Sequence, residues 1–116
     1  SITEGIGQGR VTANLENFRP SHSFFIPDEE SVRITFGLLL EEGLNLGLSS
    51  GVNVAGAIRL ARELGPGRTV VTILCDPGSR YQSRLFNPEF MRSKGLPIPE
   101  WLDRRTAIEP DYLPVE

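Results

Sequence analysis

The spacing of hydrophobic positions changes along one stretch, Leu44–Leu64, and the change predicts a short strand followed by a helix. Leucines alternate with polar or small residues at the start of the stretch, and a period of two is typical of a strand. From Val54 onward the apolar residues recur at helical spacing on one face. The Ser-Ser-Gly sequence at 49–51 is predicted to be the turn between the two elements, and the Gly-Pro pair at 65–66 ends the helix.

Apolar and polar positions on either side of this stretch predict further elements. An acidic run opens a helix from Asp28 to Gly43, because carboxylates favour the positive end of a helix dipole. Arg68–Asp76 contains a near-continuous apolar run, which is typical of a parallel strand buried on both faces. Three shorter elements are a helix over Val11–Phe18, a strand over His22–Ile26 and a helix over Ser79–Lys94 that is broken at Asn87–Pro88.

A strand, a helix and a second strand in this order predict an α/β fold with a parallel sheet. We expect Leu46–Leu48 and Val70–Leu74 to be parallel neighbours, with the helix over Gly51–Leu64 crossing between them in the right-handed sense. Residues 1–95 are predicted to form this partial α/β domain. Residues 96–116 are predicted to form a proline-rich tail that packs over the surface or across a subunit interface.

The composition narrows the class of protein. The chain has 116 residues and a formal net charge of −3, which fits one small domain and gives no electrostatic footprint for nucleic acid. No apolar run approaches the ~18–20 residues needed to span a bilayer, and none resembles a signal peptide. With one cysteine and one histidine, neither an internal disulfide nor a metal site is expected. We therefore expect a reducing, cytoplasmic environment.

Three groups of residues are candidates for a site. Ligands of α/β sheets bind at the carboxyl ends of the strands, where Ser49 follows one predicted strand and Cys75 and Asp76 end another. A loop with alternating glycines, Gly5 to Gly9, allows a ligand to approach the backbone closely. This loop departs from the dinucleotide-binding pattern, because Arg10 stands where that pattern needs a glycine.

Each group also has a plain structural explanation. Ser49 or Ser50 is a typical helix cap, and from these residues alone capping is the commoner role. A glycine loop of this kind is a weak signal by itself. His22 is available as a base for Cys75, but nothing in the sequence orients such a pair, and a small cysteine that closes a strand is the commoner arrangement.

Taken together, the segments EGIGQG, LNLGLSSGVNVAGAIRLAREL and TVVTILCDPGSRYQSRLFN resemble the C-terminal part of the cysteine synthases. The resemblance extends from about Gly5 to Phe86, with the motifs in the order and at the spacing of that family. These O-acetylserine sulfhydrylases are pyridoxal-phosphate enzymes of the tryptophan-synthase-β type. The resemblance implies the C-terminal part of a parallel-sheet three-layer domain. It also implies conversion of O-acetylserine and sulfide to cysteine and acetate by β-elimination and replacement.

The resemblance further implies roles for individual residues. The first serine of the Ser-Ser-Gly motif hydrogen-bonds the pyridine nitrogen of the cofactor, and here that serine is Ser49. The end of the Ile-Leu-Cys-Asp strand lies near the ring, which implies contacts from Cys75 and Asp76, although related sequences often have Pro and Ser at these positions. The substrate side of the cofactor is lined by the glycine loop, through Gly5, Ile6 and Gly7.

The lysine that holds the cofactor as a Schiff base lies in the N-terminal domain of the family. Lys94, the single lysine here, follows the last matched motif and does not correspond to it. The chain thus resembles about the last third of the enzyme, and we expect it to be inactive alone. The partners that the resemblance implies are the N-terminal part of the enzyme, a small amino-acid substrate, a second copy in a homodimer and serine acetyltransferase.

Two other interpretations stay open on the sequence. A cystathionine β-synthase or another β-replacing enzyme shares these motifs and differs mainly in residues that this chain does not contain. A non-catalytic α/β binding or interaction module would keep the fold without the chemistry, since a fold alone does not confer a function. An upstream coding sequence with a lysine and a Gly-Thr-rich loop would favour the enzyme.

Overall fold

The computed structural model describes residues 1–7 and 9–103, and the regular structure of this part is helical. Two long helices, α1 over Asp28–Glu42 and α2 over Leu48–Leu64, pack against each other. A third helix, α3, covers Pro88–Ser93. Short 3-10 helices lie at Gly78–Tyr81 and Glu100–Leu102.

The core lies where the first turn of α2 meets α1, the N-terminal segment and residues 81–91. Phe36 of α1 makes edge-to-face contacts with Phe86 and Trp101, with ring centroids 6.0 and 5.7 Å apart. Pairs of this geometry add about 0.5–1.5 kcal/mol to the effect of burial alone. The buried apolar side chains that form this core are Ile2, Val32, Phe36, Leu48, Tyr81, Leu85 and Met91.

Helix α1 confirms the prediction made from its acidic start and its terminal glycine. Gly43 follows the last helical residue with a left-handed φ of 68°, and its N–H donates to the Leu39 carbonyl at 3.2 Å. Other residues rarely adopt this conformation, which explains why a glycine ends the helix.

Small residues let α1 and α2 approach closely. The Ser31 hydroxyl of α1 donates to the Leu48 carbonyl at 2.9 Å. A Cβ added to Gly51 of α2 would lie 2.1 Å from Thr35 Oγ1 and 2.8 Å from the Ser31 carbonyl oxygen. Farther along the pair, the Arg59 Nε donates to a Glu30 carboxylate oxygen at 3.2 Å. The position of α2 is thus fixed against α1 at its first turn.

Helix α2 begins earlier than the sequence predicts. Gly47 precedes the first helical residue, and the Ser-Ser-Gly sequence at 49–51 lies within the first turn. The predicted turn at 49–51 is therefore wrong, as is the assignment of Leu48 to a strand. The first N–H groups of the helix find an acceptor in a different segment of the chain, so no cap from Ser49 or Ser50 is needed.

The predicted strands are absent from the described residues, where residues 69–75 belong to no sheet. The two segments around α2 meet in a single antiparallel bridge between Leu46 and Pro77, so their predicted parallel pairing is wrong. A strand is stabilised by backbone hydrogen bonds to a neighbouring strand. The side chains of Val71 and Ile73, which a sheet buried on both faces would cover, are instead 86 % and 69 % exposed. The wider parallel sheet stays a prediction.

Two shorter predictions are also wrong. Residues 13–17 form consecutive turns rather than a helix, and residues 22–26 are not paired as a strand. By contrast, the predicted break at Asn87–Pro88 is confirmed, although residues before it form a 3-10 helix at Gly78–Tyr81 and then turns instead of the predicted α-helix. The Asn87 side chain accepts from the N–H groups of Glu89 and Phe90 at 3.1 and 3.2 Å and so caps α3.

The start of the predicted tail packs on the core. The partly buried side chains of this segment that contact the core are Leu96, Ile98, Trp101 and Leu102. Residues 104–116 of the predicted tail lie outside the described residues. The division into a domain over 1–95 and a tail over 96–116 stays a prediction.

Candidate functional site at the start of helix α2

Three segments meet at the N-terminal end of α2. Residues 45–47 lead into the helix, residues 76–81 cross its start, and residues 2–6 lie beside them. The Gly47 N–H donates to the Asp76 carbonyl at 2.9 Å, and the Gly78 N–H donates to the Asn45 carbonyl at 3.1 Å. These bonds bring Ser49 and Asp76, which are predicted site residues, into contact.

Asp76 is buried, and its carboxylate faces the first turn of α2. It accepts from the Ser49 N–H at 3.2 Å, from the Ser50 N–H at 2.8 Å and from the Ser50 hydroxyl at 2.6 Å. Its backbone N–H donates in return to Ser50 Oγ at 3.1 Å. The carboxylate therefore satisfies the N–H groups that the side chain of a capping residue would otherwise satisfy.

This environment favours the charged form of Asp76. Burial raises the pKa of the carboxyl group, but the hydrogen bonds from the Ser50 hydroxyl and from the N–H groups of Ser50 and Ser49 offset that effect. The pKa of Asp76 consequently lies below its ordinary value of 3.8. A stable negative charge stands at the positive end of the helix dipole.

The Ser49 hydroxyl is directed away from the helix backbone, toward the N-terminal loop. Ser49 is half-buried, and its Oγ donates to the Glu4 carbonyl at 3.1 Å. Ser50, in contrast, is fully buried and bound to Asp76. The explanation of either serine as the helix cap is therefore wrong, since Gly47 occupies the cap position.

The glycine loop lies next to Ser49 and is held by polar contacts from residues 81–84. Tyr81, which is fully buried, accepts from the Glu4 N–H at 3.1 Å through its hydroxyl. Arg84 donates to the Ile2 carbonyl at 3.1 Å. Burial and the negative charge of Asp76 raise the pKa of Tyr81 above its ordinary value of 10.0, against the opposing effect of the Glu4 N–H.

Gly5, Ile6 and Gly7 remain exposed beside this framework. The two glycines have φ values of 77° and 72°, in the left-handed region. Ile6 and Gly7 border an open cavity of about 460 Å³, whose other walls include Phe24, Phe25 and Val52 of α2. A small ligand can reach both the loop and the first turns of α2 from this side.

Cys75 is exposed next to Asp76. Its Sγ lies 3.7 Å from Asn53 Nδ2 and 3.9 Å from Asp76 Oδ1. His22 instead lies 3.7 Å from the Glu63 carboxylate, ten residues farther along α2 than Asn53. Ten helical residues span about 15 Å, so the structure does not bring His22 to Cys75.

Sequence reasoning missed three contributors to this site. Tyr81, Asn53 and the Glu4 backbone are not among the predicted site residues. Asn53 donates to the Ile73 carbonyl at 2.9 Å, which fixes the approach to Asp76. The sequence signal for Tyr81 was its position, five residues after the aspartate that ends the predicted strand.

The described residues contain no group of three or more histidine, cysteine, aspartate or glutamate side chains arranged for a metal ion. Within the same part of the chain, none of the helices combines the length and apolar character that crossing a membrane requires.

Similarity to known proteins agrees with the motifs of this site. The chain is 48 % identical over 112 residues to cysteine synthase 1 of Emericella nidulans and 47 % identical over 112 residues to cysteine synthase 1 of Neurospora crassa. It is 43 % identical over 107 residues to cysteine synthase 2 of Schizosaccharomyces pombe. This chain is a relative of the cysteine synthases.

The similarity to cysteine synthases covers 89–93 % of this chain but only 27–30 % of the length of these three relatives. No family model matches the chain. The relationship therefore applies to one part of a cysteine synthase, and the residues at the start of α2 belong to that part.

Proposed function

We propose that this chain is the part of a cysteine synthase that binds the ring of pyridoxal phosphate. The complete enzyme would convert O-acetylserine and sulfide to cysteine and acetate. The observation that carries the proposal is the half-buried Ser49 hydroxyl, which lies beside the exposed Gly5–Gly7 loop. The names of the relatives, all cysteine synthases, support it.

The residues at this end of α2 suit the ring of pyridoxal phosphate. Ser49 presents a neutral hydroxyl whose bond to the Glu4 carbonyl can be exchanged by rotation about one torsion. A hydroxyl of this kind donates to the pyridine nitrogen without transferring a proton. The cofactor, when bound, supplies the electron-withdrawing ring that allows the substituent of the substrate to leave and be replaced.

The neighbouring residues would shape the site around that contact. We propose that the exposed Cys75 thiol lies along the edge of the ring. Asp76 would affect the ring indirectly, because its carboxylate holds the first turn of α2 at Ser49. Gly5, Ile6 and Gly7 would line the substrate side, because Ile6 and Gly7 border the open cavity next to Val52 and Gly5 directly precedes them in the exposed loop.

The remaining functions of the enzyme require residues outside this chain. A lysine to hold the cofactor and a loop to bind its phosphate are expected in the N-terminal part of the complete protein. We also propose a homodimer, a cytoplasmic location and serine acetyltransferase as a partner, all on the family resemblance. For a cysteine synthase, the substrate would be a small amino acid.

A chimeric enzyme tests this proposal. The region of the Emericella nidulans cysteine synthase 1 that matches this chain would be replaced by the chain itself. We expect the purified chimera to bind pyridoxal phosphate, with its visible absorbance, and to make cysteine from O-acetylserine and sulfide. A folded chimera that neither binds the cofactor nor makes cysteine would contradict the proposal.

A further inference from the structure

The carboxylate of Asp76 occupies the place of a helix cap, although it belongs to a different segment. The residue at the cap position, Gly47, has no side chain, and a Cβ there would lie 2.2 Å from Asp76 Oδ2. The glycine thus leaves room for the carboxylate to reach the N–H groups of Ser49 and Ser50. The two features depend on each other.

Asp76 is itself fixed along the first turns of α2. Its carbonyl accepts from the Gly47 N–H at 2.9 Å, and its N–H donates to Ser50 Oγ at 3.1 Å. Three residues earlier, the Ile73 carbonyl accepts from Asn53 Nδ2 at 2.9 Å. The carboxylate consequently cannot move away from the helix start without breaking several hydrogen bonds.

We infer that Asp76 is a positioning residue for Ser49, holding the backbone of the serine whose hydroxyl would meet the cofactor ring. This inference rests on the proposed role of Ser49. The Ser49 N–H is bound to Asp76 Oδ2 while the Ser49 hydroxyl faces the opposite segment, at Glu4. The negative charge also offsets the positive end of α2, so the ring meets a neutral donor rather than an uncapped helix.

Variants of the chimeric enzyme test the inference. Asp76→Ala removes both acceptors, whereas Asp76→Asn keeps one acceptor of similar size and loses the charge. Glu29→Gln is a matched control, because Glu29 is an exposed carboxylate that pairs with Arg33 within α1. The readouts are the dissociation constant of pyridoxal phosphate, the absorbance spectrum of the bound cofactor and the melting temperature.

We expect Asp76→Ala to weaken cofactor binding about tenfold, as for a lost cap, and to shift the cofactor absorbance. Asp76→Asn should recover part of the affinity, and Glu29→Gln should match the unsubstituted chimera. Normal affinity and spectrum with only a lower melting temperature in the Asp76 variants would overturn the inference. If Asp76→Ala does not fold, the same comparison with Asp76→Asn decides.

Hydrogen exchange in the 116-residue chain supplies a measurement that does not need the cofactor. At least one of the Ser49 and Ser50 amides should exchange about tenfold faster in Asp76→Asn than in the unsubstituted chain, because asparagine keeps only one of the two acceptors. Unchanged exchange would overturn the inference, because Asp76 would not then hold the serine backbone. If the amides exchange as expected but the unsubstituted chimera does not bind pyridoxal phosphate, the proposed function is contradicted and the role of Asp76 in holding the serine backbone is not.

Discussion

Ser49 and Ser50 are neighbours in the first turn of α2, and their hydroxyl groups face different parts of the molecule. Ser49 Oγ donates toward the N-terminal loop at Glu4, whereas Ser50 Oγ donates to the buried carboxylate of Asp76. One hydroxyl is accessible to a ligand and the other belongs to the internal hydrogen-bond network. Substitution of each serine should therefore affect different properties.

In the chimeric enzyme, Ser49→Ala should lower cofactor affinity and the rate of β-elimination while leaving the fold nearly intact. A buried ring nitrogen without its partner costs about 1–3 kcal/mol. Ser50→Ala should instead lower the free energy of unfolding by roughly 1–3 kcal/mol, because the Asp76 carboxylate loses the hydrogen bond that the Ser50 hydroxyl donates. Cofactor titration and urea unfolding separate the two effects. Normal cofactor spectra and turnover in Ser49→Ala would show that Ser49 does not contact the ring.

Asp76 should make the stability of the chain depend on pH in the acidic range. Its pKa is lower in the folded chain than its ordinary value of 3.8, so the folded state favours the carboxylate. The stabilisation is present above that ordinary value and is lost as the pH falls through the lower, folded value. Urea unfolding from neutral pH downward should show a stability difference between the unsubstituted chain and Asp76→Asn that shrinks below pH 3.8. A difference independent of pH would contradict this assignment.

Among the elements, the packing of α1 against α2 depends on the lack of a side chain at Gly51. A Cβ at that position would lie 2.1 Å from Thr35 Oγ1, whereas a Cβ at Gly56 of the same helix would contact nothing within 4 Å. The two glycines are thus a matched pair for separating packing from helix propensity.

Gly51→Ala should destabilise the chain by about 1–3 kcal/mol, because α1 and α2 must move apart. Gly56→Ala should be neutral or stabilise the chain by about 0.5–1 kcal/mol, since alanine favours the helix. Thermal and urea unfolding of both variants measure the difference. Equal effects of the two substitutions would show that the close contact at Thr35 is not maintained in solution.

Elements with local signals were predictable from the sequence, and elements that depend on distant residues were not. Helix α1 begins with acidic residues and ends at Gly43, so both of its ends are encoded nearby. The start of α2 was missed because its cap comes from Asp76, 26 residues away from Ser50 in the sequence. Val70–Leu74 has the composition of a buried strand, but the described residues contain no neighbouring strand for it.

In the candidate site, too, local motifs were predictable from the sequence and contacts between distant segments were not. The Ser-Ser-Gly motif and the glycine loop were both recognised as candidates from the sequence. Their contact depends on the Ser49–Glu4 hydrogen bond and on Tyr81, which is 77 residues away from Glu4. Periodicity and motif spacing do not report which distant segments meet, so the orientation of Asp76 into α2 required the structure.

At the scale of the whole molecule, the chain contains part of the expected machinery. It spans 27–30 % of the length of its relatives from Emericella nidulans, Neurospora crassa and Schizosaccharomyces pombe. Its single lysine, Lys94, is not expected to be the cofactor lysine of a complete enzyme. The relation between the described core and a complete enzyme can be tested in two ways.

The purified 116-residue chain should make no cysteine from O-acetylserine, sulfide and pyridoxal phosphate. Without a lysine at the cofactor carbonyl, covalent catalysis lacks its nucleophile. Lys94→Arg is the control, and it should leave the absorbance of added pyridoxal phosphate unchanged. Cysteine formation that Lys94→Arg abolishes would show that Lys94 serves as the missing lysine and that the family assignment of this residue is wrong.

The exposed apolar run at 70–74 gives the second test, because a parallel sheet in the complete enzyme would cover it. Val71 is 86 % exposed in this chain, so Val71→Lys should change its free energy of unfolding by no more than about 0.5 kcal/mol. In the chimera the same lysine would be buried without a partner, at a cost of about 3–5 kcal/mol. Leu40→Lys is the control, since Leu40 is 61 % exposed on α1, outside the predicted sheet, and should have a small effect in both proteins. Urea unfolding measures all four differences, and an equally small effect of Val71→Lys in chain and chimera would contradict a buried strand at 70–74.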